Sequence, residues 1–228
     1  MVTMLLGLLL MLQVGSADAL YREGVRLFES GKPADAAKYL EKATTLAPAN
    51  AQYWKVLGVT HAAQKDYAAA LRPFQKACEL SPSLVDACYF YGRALYALDR
   101  YEPAIKALDR AMQFASSKPR SQLGKAQALE ALGRAAQAET EYRAAGSEVE
   151  APVLYGQFLF RAGRLDEALT ILKTARPSED SRFQLGRVLY QLGRLDEAIA
   201  NLEAAPNKPE AKLLLEKAYR RLGSNTSK

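Results

Sequence analysis

An all-α repeat architecture is the fold class that the sequence predicts, on three observations. Ala, Leu, Glu, Arg, Lys and Gln dominate while Val, Ile and Thr are sparse, so summed propensity favours helix nearly everywhere. No alternating strand pattern of useful length occurs, and no Asn-Gly or Asp-Gly joins two β-branched runs. The string GRLDEA stands at Gly163 to Ala168 and again at Gly193 to Ala198, inside the longer echoes RAGRLDEALTIL and QLGRLDEAIANL, 30 residues apart. A period of that size marks stacked supersecondary units.

The 228 residues, 49% hydrophobic and 25% charged, suffice for a single array of such units. The net charge of +6 comes from acids and bases that alternate, with no long Lys/Arg block. A solvated helical surface explains it better than a nucleic-acid partner.

The chain opens differently. MVTMLLGLLLMLQVGSADA carries an apolar run from Leu5 to about Val14, then small residues at Gly15, Ser16, Ala17 and Ala19. The run is shorter than the ~20 residues that span a bilayer. It fits the apolar region and cleavage zone of a secretory signal peptide. The expectation is a signal peptide over residues 1–17, cleavage after Ala17 or Ala19, a secreted or periplasmic protein, and no membrane span after signal removal. No Lys or Arg precedes Leu5. A short uncleaved anchor, a wrongly chosen start codon and a cytoplasmic location stand as alternatives.

The clearest repeat is AQYWKVLGVTHAAQKDYAAALRPFQKACELSP, Ala51 to Pro82, with Trp54, Leu57, Gly58, Ala70, Phe74, Ala77 and Pro82 at regular spacings. It resembles the tetratricopeptide repeat, a 34-residue helix-turn-helix with the pattern W-x2-L-G-x2-Y, A-x3-F and P; His61 replaces the usual Tyr. With Ala51 as position 1, copies start at residues 17, 85, 119, 149 and 179. Their matching residues include Gly24, Ala36 and Leu40; Gly92, Ala104 and Leu108; Ala126, Ala138 and Tyr142; Gly156, Ala168 and Leu172; and Gly186, Ala198 and Leu202. The resemblance covers nearly everything after Ala17. It implies a right-handed α-solenoid of six units: three of 34 residues (17–50, 51–84, 85–118) and three of 30 (119–148, 149–178, 179–208). A capping helix, 209–223, and a polar tail, 224–228, follow.

The four residues missing from the short units lie at the end of the second helix, where Gly146, Pro177 and Pro206 break the pattern early. Four residues are close to one helical turn, so the chain exits on nearly the same face. Gly31, Gly133, Gly163 and Gly193 are expected to end first helices in the left-handed conformation. Asp166 with Glu167, and Asp196 with Glu197, then open second helices at the positive dipole end. Gly58, Gly92, Gly156 and Gly186 fall inside first helices, where close packing against Ala70, Ala104, Ala168 and Ala198 is expected to offset their ~1 kcal/mol cost. Pro73 should bend its helix slightly.

Little points to catalysis. The lone His, His61, occupies a core signature position without an orienting partner, and the two Cys and the acids show no metal-site spacing. No P-loop, dinucleotide fingerprint or G-x-S-x-G elbow occurs. An enzyme is not expected, and neither is a cofactor or metal. Asn225-Thr226-Ser227 matches a glycosylation acceptor in a polar tail. Cys78 and Cys88 fall at an adjoining helix end and helix start; they are either a disulfide or two small buried hydrophobes.

What remains is a groove. In the resembled family, first helices line the concave face through positions 5, 9, 12 and 13 of each unit. Here these give Tyr21 and Phe28; Lys55; Tyr89, Arg93 and Tyr96; Gln127; Gln157, Phe160 and Arg161; and Phe183, Arg187 and Tyr190. Aromatics with Arg are the types that anchor protein interfaces, though each aromatic is equally able to serve as packing between neighbouring helices. The family's Lys/Asn/Arg clamp for acidic chaperone tails is absent, since its positions hold Tyr21, Val25, Val56, Asp86 and Phe90. The reading is a non-catalytic scaffold that holds a peptide or partner protein in the groove. The alternative is a structural subunit that contacts a larger envelope assembly through its edges or caps.

Overall fold

A computed structural model describes the backbone at all residues but 1, 85, 147, 227 and 228, and the side chains at all of these but 2–15, 115 and 224–226. Among the described residues there are thirteen α-helices, one 3-10 turn and no strand. In chain order the helices are α1 (Val2–Glu29), α2 (Pro33–Leu46), α3 (Ala51–Ala63), α4 (Tyr67–Leu80), α5 (Ala87–Ala97), α6 (Tyr101–Ala111), α7 (Lys118–Ala131), α8 (Ala135–Ala144), α9 (Ala151–Arg161), α10 (Leu165–Leu172), α11 (Glu179–Gln191), α12 (Leu195–Glu203) and α13 (Pro209–Thr226). The chain forms two compact units, residues 1–138 and 139–228, divided within α8.

Within each unit the helices come in pairs joined by one kind of turn. The turn residue has positive φ in every case: Gly31, Gly133, Gly163 and Gly193 at 73–76°, and Lys65 and Asp99 at 60° and 57°. The amide after it reaches back to the carbonyl five residues earlier, as from Arg164 to Leu159 at 3.0 Å and from Arg194 to Leu189 at 2.9 Å. This is the Schellman closure of a helix end. GRLDEA therefore reads as a stop, a cap and a start. Arg164 and Arg194 are the N-cap residues of α10 and α12, and each forks onto the glutamate three residues on, Glu167 or Glu197, at 2.5–2.6 Å. Asn50 and Asp66 cap α3 and α4 through their side chains.

The core follows one rule. Leu40, Phe74, Leu108, Tyr142, Leu172 and Leu202, at position 24 of their copies, are all at most 2% exposed. Five of them are paired with the glycine at position 8. A Cβ on Gly24, Gly92 or Gly186 would lie 2.7 Å from the Cγ of Leu40, Leu108 or Leu202, and one on Gly58 or Gly156 would lie 2.5 or 2.4 Å from Phe74 or Leu172. The expected close approach of the alanines holds at two of the four glycines: a Cβ on Gly92 or Gly186 would also lie 3.3 or 3.4 Å from the carbonyl oxygen of Ala104 or Ala198. The nearest atoms in every case belong to the large side chain one turn further along the same helix face. The missing Cβ accommodates a branched or aromatic group and, at these two positions, the alanine backbone as well.

α10 and α12 are 8 and 9 residues long against 14 for α2 and α4; α6, of a 34-residue copy, has 11 and ends at Ala111, before Phe114, where the pattern of the long copies would carry it further. Pro73 is buried within an uninterrupted α4. The last helix runs to Thr226, past the Gly223 expected to close it. Gly223 keeps a negative φ, so no left-handed stop forms there.

The expected apolar signal run, Leu5 to Val14, and the Asn225-Thr226-Ser227 acceptor fall on side chains outside those described. Just beyond the run, Ala17 is fully buried with Ala43 and Tyr53, and the Tyr53 hydroxyl donates to the Asp18 carboxylate.

Candidate binding surface

In residues 139–228 the first helices α9 and α11 lie side by side, as do α11 and α13. The start of α11 is fixed by a reciprocal cap: Ser178 Oγ accepts from the Ser181 amide at 3.1 Å, and Ser181 Oγ accepts from the Ser178 amide at 2.9 Å. From there Asp180, Phe183, Arg187 and Tyr190 follow one another at helical spacing on one face. Gly186 lies on another face and admits Leu202 of α12.

Arg187 is the centre of this surface. Its guanidinium carbon lies 4.5 Å from the Phe160 ring centre on α9 and 5.6 Å from that of Phe183 on its own helix, and Nη1 donates to Gln184 Oε1 at 2.8 Å. Burial, and after it the neighbouring Arg161 charge, hold the Arg187 pKa below the ordinary arginine value. One cation thus lies against two aromatic rings. One turn back along α9, Gln157 borders a hollow of about 370 Å³ whose walls include Val149, Val153, Leu154 and Arg176. Tyr190 is covered by Arg221 of α13, 5.6 Å from the ring centre, which also donates to the Tyr190 carbonyl at 3.4 Å.

The structure therefore brings Phe160, Phe183 and Arg187 together; Gln157 lines the hollow one turn back along α9, and Tyr190 lies under Arg221. Val153 also belongs to this surface. It occupies position 5 of its copy, and a search for aromatic and charged anchors passes over it.

In residues 1–138 the corresponding side chains are drawn into packing. Tyr21 stacks on Tyr53 at 4.6 Å between ring centres, and Phe28 lies against the core around Leu27, Leu40 and Leu57. Lys55 is half-exposed. Arg93 donates to Gln127 at 2.6 Å and lies 5.7 Å from the Tyr96 ring, while Tyr96 also meets Tyr101. Tyr89 packs against the disulfide cluster and beneath Arg120. His61 is mostly buried, with Nε2 4.0 Å from Glu41. Cys78 and Cys88 are joined by a disulfide, their Cα atoms 4.7 Å apart, linking the end of α4 to the start of α5. Near it Asp86 (φ 71°) accepts from Arg120 at 2.7 Å and Ser117 at 3.2 Å.

A second cleft, about 410 Å³, lies on the other side of α9, lined by Tyr155, Leu159, Thr170 and Ile171 with Arg143, Asp166 and Glu167. Beside it Glu139 accepts from Arg164 at 2.7 Å, Arg143 at 2.6 Å and Tyr155 at 3.0 Å. The Arg164 hydrogen bond is the chief reason that the Glu139 pKa falls to about 2. These groups satisfy one another; Glu139 and Arg143 are an ordinary i,i+4 helical pair, while Arg164 reaches Glu139 across 25 residues, which no local pattern announces. No cluster of three or more His, Cys, Asp or Glu able to hold a metal occurs among the described residues.

Residues 21–85 and 61–122 each match a family model described as tetratricopeptide repeat. Residues 126–205 match the model described as anaphase-promoting complex, cyclosome, subunit 3. No curated protein sequence matches the chain. Among solved structures, PilW, a widely conserved type IV pilus biogenesis factor, is similar with a TM-score of 0.74 at 17% identity, over 87% of this chain and 98% of that one. PilF of Pseudomonas aeruginosa gives a TM-score of 0.71 at 17% identity, over 92% and 99%. MamA of Desulfovibrio magneticus gives 0.62 at 19% identity, over 69% and 92%. At such identities the likeness is one of fold, an all-α solenoid of helical repeats. With two models of the same repeat matched and five glycines packed beneath a large side chain of the paired helix, the chain belongs to the tetratricopeptide repeat family.

Proposed function

We propose that the chain is a non-catalytic protein-interaction scaffold that holds a peptide or a segment of a partner protein on the first-helix face of residues 139–228. The observation that carries this reading is Arg187 seated against Phe160 and Phe183, on the same helix pair as the hollow that Val153 and Gln157 of α9 and Asp180 of α11 line. Aromatic rings with arginine contribute large contact area and several donors, and such groups dominate interface energetics. Of the matching residues in 1–138, Tyr21, Phe28 and Tyr89 are engaged in packing, and binding is assigned to the last units of the array.

The division into six units with a final cap is part of the proposal. α13 begins where a seventh unit would, and Glu216 stands at its position 8, where five first helices have glycine. A second helix has no room to approach there. Export is also proposed: a buried disulfide suits an oxidising compartment, as does the fold shared with a pilus biogenesis factor. The alternative, a structural subunit using the array ends, draws on Leu213 of α13, 57% exposed.

Affinity capture from the native envelope fraction with wild type and with the double variant Arg161→Ala/Arg187→Ala tests the assignment. Loss of one or more partners from a folded double variant supports the groove. Undiminished capture of every partner supports the structural-subunit reading instead.

A further inference from the structure

We infer that the segment held on this face is acidic, with an Asp or Glu side chain on Arg187 and an apolar residue in the neighbouring hollow. The inference rests on the binding reading above and adds the chemistry of the occupant. It is not the family's clamp, whose positions hold other residues.

The first argument is charge. A guanidinium has five N–H donors, and among the described residues Arg187 gives one of them to an acceptor, Gln184. The ring faces of Phe160 and Phe183 attract the cation but accept none of the remaining hydrogens in the fork geometry that a carboxylate provides. No carboxylate among the described residues pairs with Arg187. A carboxylate seated on it fills the open donors. A basic segment would set a second cation against it.

The second argument is spacing. Val153 and Phe160, which carries Arg187, are seven residues apart on α9, about 10 Å along the helix axis at 1.5 Å per residue. An extended peptide advances roughly 3.3 Å per residue, so about three residues separate the group in the hollow from the group on Arg187. The hollow offers Val149, Val153 and Leu154 to an aliphatic or aromatic side chain. Glu150 and Asp180 also line the hollow, with Arg176, and Asp180 is paired with Lys208; a carboxylate there would meet two like charges, so the acidic group belongs at the Arg187 end.

The test is a display library of random dodecapeptides, fused at both ends so that no free carboxyl terminus is offered, panned against the full chain. Wild type is expected to enrich peptides with Asp or Glu two to four residues from Leu, Ile, Val or Phe. The chemically synthesised winners should bind Arg187→Gln at least tenfold more weakly, with the helical circular dichroism unchanged. Enrichment of neutral or basic peptides would overturn the acidic assignment and leave the binding reading standing. Acidic peptides whose affinity Arg187→Gln leaves unchanged would overturn the placement. A folded chain that enriches nothing would overturn both.

Discussion

Phe74 fills the space above Gly58: a methyl group at that glycine would lie 2.5 Å from the ring. Helix propensity alone favours alanine at position 58 by ~1 kcal/mol, yet the ring has no room to retreat inside the core. Gly58→Ala is therefore expected to lower stability by about 1–3 kcal/mol, the usual cost of overpacking. Gly124 in α7 is the control, since a Cβ there meets Leu108 at an ordinary 3.4 Å. Gly124→Ala should be neutral or stabilising by up to ~1 kcal/mol. Urea unfolding of the two variants reads both signs, and a stabilised Gly58→Ala would contradict the packing rule.

The Cys78–Cys88 bond closes a loop of ten residues. Loop-closure entropy for a ring of that size corresponds to about 2–3 kcal/mol. Adding a reductant, or replacing both cysteines by alanine, should lower the thermal midpoint of wild type. Two free thiols in the unreduced protein would contradict the bond.

Glu139 gives a pH dependence with a definite sign. Its folded pKa is about 2, against an ordinary 4.5, held down first by the hydrogen bond from Arg164. The ionised carboxylate therefore stabilises the fold fully above about pH 5, and that stabilisation is lost as the pH falls towards 2. Glu139→Gln should cost about 1–2 kcal/mol at pH 7 and next to nothing at pH 2. Denaturant unfolding at pH 7, 4 and 2 follows the gap between the two proteins. A gap that does not narrow in acid would show that the network contributes no charge stabilisation.

For the exported chain proposed above, the two cleavage positions are not equivalent. Cutting after Ala17 keeps Asp18, which accepts from Tyr53 and, after burial, raises the Tyr53 pKa to about 12. Cutting after Ala19 removes that acceptor. Amino-terminal sequencing of extracytoplasmic protein should read Asp18 first. A start at Leu20 would contradict this choice, and an intact Met1 would contradict cleavage itself.

Repeat register was the most legible feature of the sequence, because position 8, position 20 and the turn glycine recur at fixed intervals and each has one physical job. Lys65 and Asp99 show where it stopped being legible: they take the same left-handed turn with side chains that carry no such signal. The groove residues were legible as register positions only. Register cannot say that Tyr21 stacks on Tyr53 while Arg187 stays available, since that depends on which neighbour is large enough to reach across. The Glu139–Arg164–Tyr155 network depends on a turn arginine on α10 reaching a carboxylate on α8, which no local pattern announces.

The central claim is that a partner lies on the first-helix face of residues 139–228, and site-specific photo-crosslinking in the native cell tests it most directly. A photoreactive residue is placed at Gln157, on the hollow beside Arg161, and in a second protein at Thr170, on the α10 side of α9. The account predicts a partner crosslinked from position 157, diminished by Arg187→Ala, and none from position 170. A crosslink from position 170 with none from position 157 would contradict it.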